Sequence, residues 1–193
     1  NMVKGGPLNY LTLDYLAELT LSIMQRQKLK NPSAGYARDF IDLIERILPE
    51  IHQKGLKVIT NAGGVNPQAC REKLLRLSKE SGYPIKIGVI RGDDIYSDLQ
   101  KFRDRGVCFD NMDTGKSFNE IADKVYSANV YINSFTISEA LEKGAQIVLA
   151  GRVSDPGLAL GPCVYEYGWK QDEYDRVAAG TLSGHIAECG AQC

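Results

Sequence analysis

The sequence predicts an α/β fold: a mostly parallel sheet of about five strands, Rossmann-like and three-layered, with helices on both faces. Three observations predict it. Short apolar runs at 8–13, 56–60, 85–90, 128–133 and 146–150 have the length and composition of strands. Stretches with helical periodicity or helix-start signals separate most of them. Each run ends in a polar or glycine-rich turn. A helical crossover makes successive strands parallel, so the turns that follow them share one rim, which is where ligands bind in this class.

In chain order, 8–13 alternates and Asp14 closes it. Residues 15–29 form an amphipathic helix with Leu16, Leu19, Ile23 and Met24 on its apolar side. Asn31 and Pro32 end that helix and are expected to start the next. There Phe40, Ile41, Ile44, Ile47, Leu48 and Ile51 recur at helical spacing, and Gly55 stops it. The strand 56–60 runs into Asn61-Ala62-Gly63-Gly64-Val65-Asn66-Pro67, then a helix to Ser81. The strand 85–90 stops at Arg91-Gly92-Asp93-Asp94, and a helix is expected over 94–105. Residues 108–119 read as a surface loop that leans over the rim. The strand 128–133 precedes a short helix capped by Thr136 or Ser138. The strand 146–150 leads into Gly151-Arg152-Val153-Ser154-Asp155-Pro156 and a helix to Tyr167. Gly168 breaks that helix, Asp172 caps the next, and 180–193 is expected to be helical. Gly184 and Gly190 there allow close packing.

Composition excludes several classes. With 193 residues the chain can bury a core and fits one α/β domain spanning 1–193. A net charge of −1, with basic residues scattered, offers no nucleic-acid footprint. Its apolar runs fall short of the roughly 18 residues that span a membrane. No secretory signal is visible, so a cytoplasmic protein with reduced thiols is expected. The five cysteines, at 70, 108, 163, 189 and 193, form no C-x-x-C pair, and only His52 and His185 accompany them. His185, Cys189 and Cys193 share one helical spacing but lack a fourth ligand, so no metal is assigned. The chain starts at Asn1 and stops at Cys193 within a helical stretch, so it is expected to be a fragment of a longer protein.

The rim carries the candidate chemistry. Asn61, Gly63, Gly64 and Asn66 form a turn that either bares N–H groups to an anion or is a tight, Asn-capped strand-to-helix connection. It is neither G-x-G-x-x-G nor a P-loop, so no dinucleotide or ATP fingerprint exists. Arg152 either holds an anionic group or pairs with Asp155, which is either a general base or a cap. Asp94, beside Asp93, is an acid–base candidate or a helix cap. Asp14 is a rim acid or a cap, and Asn133 completes the ligand-binding set. Packing or capping is the competing reading for His185.

Several stretches together resemble one family. They are 14–20 (Asp14 to Thr20), 35–40 (Gly35 to Phe40), 61–67, 151–156, 180–185 (Gly180 to His185) and 188–192 (Glu188 to Gln192). In this order they resemble the N-terminal domain of the acyclic terpene utilisation (AtuA-type) proteins, over nearly the whole chain. The resemblance implies a role in citronellol and geraniol breakdown, a pathway that uses coenzyme A thioesters and a biotin-dependent geranyl-CoA carboxylase. It implies an acyl or terpenoid substrate, with an enzyme on branched acyl-CoA or related acids as the first reading. The alternative is a non-catalytic partner or assembly factor of the carboxylase. Oligomer formation stays open. The family pattern extends beyond both ends, and it supplies no catalytic residues to carry over.

Overall fold

The computed structural model describes residues 2–15 and 18–192. Among them a short helix α1 (Met2–Gly5) precedes β1 (Tyr10–Leu13), and α2 (Glu18–Lys30) and α3 (Arg38–Lys54) lead to β2 (Lys57–Thr60). Then come α4 (Pro67–Ser81), β3 (Ile87–Val89), α5 (Leu99–Asp104), α6 (Phe135–Glu142), β4 (Ile147–Leu149), α7 (Gly157–Tyr167) and α8 (Tyr174–Cys189). The four strands lie in the order β1-β2-β4-β3, every pair parallel. No helix among the described residues is long and apolar enough to cross a membrane.

The central strands β2 and β4 are buried on both faces, as a helix-covered parallel sheet requires. Side chains alternate across the sheet. Val58, Ile147 and Leu149 pack with Phe40, Ile44, Leu48 and Ile51 of α3 and Leu74 of α4. Ile59 and Val148 face the other way, onto Ile137 and Leu141 of α6 and Leu158 of α7.

Among the described residues the sheet has four strands rather than about five. The segment 128–133 makes only two isolated bridges, Asp94 with Asn129 (antiparallel) and Ile132 with Val153 (parallel). Its partners are the turns beyond β3 and β4: Val130 N–H donates to Asp93 O, and Ile132 N–H to Arg152 O. It is a strap across the rim, built from strand-like residues because extended backbone still pairs at each end.

Other expected boundaries shift for local reasons. The third helix starts at Arg38, because Asn66 Nδ2 donates to Pro32 O and Ala34 O, taking carbonyls a helix would need. The 94–105 stretch opens as a 3-10 turn at Tyr96–Asp98 before α5. Within 108–119, Asn111 Oδ1 organises turns by accepting from Asp113 N and Thr114 N. Neither Thr136 nor Ser138 caps α6; Asn133 Oδ1 accepts from Phe135 N at its start. Asp172 does not cap α8, whose first residue follows Glu173, and α8 runs unbroken through Gly180.

Candidate active site

Each strand delivers its rim residue at its C-terminal end. Asp14 follows β1 directly. Asn61 follows β2, is fully buried, and donates from Nδ2 to Asp14 Oδ1 at 2.7 Å while its Oδ1 accepts from Tyr15 N at 2.7 Å. Asn61 thus aims the Asp14 carboxylate. Asp155 follows β4. It makes no cap bond to α7 and instead accepts from the Arg152 guanidinium at 2.6 Å.

The third carboxylate comes from α8. Gly184 lets that helix approach the start of α7 closely: a Cβ there would lie 2.7 Å from Pro156 O and 2.8 Å from Pro156 Cβ. Glu188, one turn further on the same face, then reaches the rim. Asp14, Asp155 and Glu188 border a cleft of about 280 Å³, whose apolar lining includes Leu158, Ala159 and Ala187. Asp14, Asp155 and Glu188 are all solvent-exposed, yet partial desolvation, the charges of Asp14 and Asp155 and a hydrogen bond with Asp14 raise the Glu188 carboxyl; His185 acts in the opposite direction. Two hydrogen-bonded carboxyls beside a third can share a proton, which suits acid–base chemistry. No group of His, Cys, Asp and Glu among the described residues is arranged to hold a metal ion. Of the candidate metal set, Cys193 lies outside the described residues.

Arg152 forms the back wall. Its side chain is 7% exposed, with Asp155 at 2.6 Å and the exposed Glu18 at 3.6 Å. The Tyr131 ring, carried by the strap, covers the guanidinium at 4.3 Å, and its hydroxyl donates to Glu18 at 2.9 Å. Behind it Asp93 is buried, and its Oδ2 accepts from Arg152 N at 2.8 Å and Asn129 Nδ2 at 3.1 Å. Gly151 is required there, since any Cβ would run into the Asp93 carboxylate.

A second cleft, also of about 280 Å³, lies at the start of α4, between the glycine turn and the Arg91–Asp94 turn. Gly64 has φ +53°, and a Cβ would meet Met24 Sδ and lie 2.7 Å from Gly35 O. A Cβ on Gly63 would lie 2.6 Å from Ala150 O. Asn66 caps α4 by accepting from Ala69 N. Lys28 and Arg91 line this cleft, Lys28 Nζ donating to Val65 O at 2.7 Å and Arg91 to Gln68 at 3.4 Å. Asp94 also lines it, and its Oδ1 accepts from Tyr96 N.

The candidates from sequence therefore divide. Asp14 and Asp155 line the carboxylate cleft, with the buried Asn61 holding Asp14, while Gly64, Asn66 and Asp94 line the other. Asp93, Arg152 and Asp155 form the wall between the two. Asn133 lines neither cleft and serves the start of α6. Sequence reasoning missed Glu188, Asp93 as the buried partner, and Tyr131. The available signal for Glu188 was Gly184 four residues earlier on the same helix face. Cys70 is a core residue, its thiol pushed up to about 12 by burial.

A model of the family described as acyclic terpene utilisation family protein AtuA matches residues 1–193. No curated protein and no solved structure matches the chain.

Proposed function

The chain belongs to the acyclic terpene utilisation family, and from that membership we propose that it acts as an enzyme on branched acyl intermediates of acyclic terpene breakdown, carried as coenzyme A thioesters. The observation that carries this reading is the hydrogen-bonded Asp14–Glu188 pair inside a cleft whose third carboxylate, Asp155, is tied to Arg152. A carboxyl whose proton affinity is raised by its neighbours can donate its proton to an acyl group. A neighbouring carboxylate fixed by a guanidinium can take one back.

The apolar part of the lining suits a branched chain. The phosphates of coenzyme A are assigned to the second cleft, where Lys28, Arg91 and the N-terminus of α4 supply positive charge beside the carboxylates of Asp93 and Asp94. Arg152 is a positioning residue in this scheme, since its guanidinium is buried against Asp155 and Tyr131. The test is titration of the full-length protein with geranyl-CoA and citronellyl-CoA, beside Lys28→Glu and Arg152→Ala. Binding that weakens in both variants is the expected result; no binding to either thioester discards the reading.

A non-catalytic role beside a biotin-dependent acyl-CoA carboxylase is the second reading. It draws support from Leu182 and Ile186, apolar side chains left exposed on α8. Failure of the full-length protein to co-purify with carboxylase subunits discards it.

A further inference from the structure

The open edge of the sheet at β3 is independent of both clefts. β3 pairs with β4 in the register Gly88↔Val148. Ile147 N donates to Lys86 O, and Ile90 N donates to Leu149 O. Backbone groups in a strand alternate sides, so Lys86, Gly88 and Ile90 address β4. The N–H and C=O groups of Ile87 and Val89 therefore point outward, and among the described residues no strand lies beyond them.

A groove of about 390 Å³ runs between this edge and α6. Its floor is made of small residues: a Cβ on Gly88 would lie 3.1–3.2 Å from the Cβ atoms of Ala145 and Ala140. Its rims are charged, with Lys86, Arg91 and Lys143 against the single acid Glu139.

We propose that this edge is a docking site for an acidic, extended peptide segment of a partner protein, which adds to the sheet as a further strand. Main-chain pairing with Ile87 and Val89 supplies the geometry, and the cationic rims select acidic side chains. The same cations oppose a second copy of this chain, because edge-to-edge pairing would bring the two basic rims together.

Fluorescence anisotropy of a labelled peptide of alternating glutamate and valine, mixed with the full-length protein, tests the proposal. A lysine–valine peptide is the control. Val89→Pro removes one outward donor without touching the β4 ladder. Lys143→Glu reverses a rim charge on an exposed helix position and keeps the test meaningful if Val89→Pro fails to fold. The expected result is binding of the acidic peptide alone, roughly five- to tenfold weaker in each variant. No binding, equal binding of the lysine peptide, or indifference to both variants would overturn it. So would self-association abolished by Val89→Pro, which would make a second copy the occupant.

Discussion

Glu188 meets Asp14 and Asp155 only because α8 folds back over the rim, and its raised proton affinity makes stability depend on pH. Its folded pKa lies above the unfolded one, so between the two the native state holds more protons than the unfolded state, and stability falls as pH rises through that window. Glu188→Gln keeps a donor to Asp14 and removes one charge. The variant is expected to be more stable than the parent at neutral pH, by less than about 1 kcal/mol because the open cleft screens the repulsion. The advantage should vanish below the ordinary glutamate range, and thermal melts across pH read it. Asp93 works in the opposite sense: Asp93→Ala strips acceptors from Arg152 N and Asn129 and should cost about 1–3 kcal/mol in urea melts. Asp14 and Asp155 were legible as rim residues because Asp14 directly follows β1 and Asp155 lies in the turn between β4 and α7. Glu188 was not, since Gly184 four residues earlier marks a close approach but does not say which element a glutamate in the last turn of α8 will meet.

The contact of α7 with α8 depends on two glycines. A Cβ on Gly180 would meet Leu160 and Trp169 side chains at 2.6 and 2.8 Å, which can shift, whereas at Gly184 it meets the Pro156 backbone and ring. Gly184→Ala should therefore be the worse substitution, costing about 1–3 kcal/mol and displacing Glu188 from the cleft. Comparing the urea midpoints of the two alanine variants checks the order. Elements with strong periodicity, such as α3 and α4, were readable because their apolar faces repeat at the helical spacing. The 128–133 segment was misread because a strap with two terminal bridges and a true strand share the same alternating, β-branched composition. Only the partner strands distinguish them, and those lie far away in sequence.

The whole molecule is a parallel sheet that gathers four turns at one rim and leaves β3 open at one edge. The sheet class was readable because strand and helix signals alternate and parallel crossovers leave few topologies. The division of the rim into two clefts was not readable, because it depends on Arg152 pairing with Asp155 while Asp93 grips the backbone behind it. In the reading proposed above, the carboxylates would handle protons and the cleft lined by Lys28 and Arg91 beside Asp93 and Asp94 would hold the carrier. The direct measurement is mass spectrometry of geranyl-CoA and citronellyl-CoA incubated with the full-length protein in deuterium oxide. Deuterium should enter the acyl chain, and Glu188→Gln should slow its entry about 100-fold or more, the usual range for a lost general acid. Incorporation no faster than without protein, or unchanged in Glu188→Gln, would contradict the assignment of the carboxylate cleft as the active site.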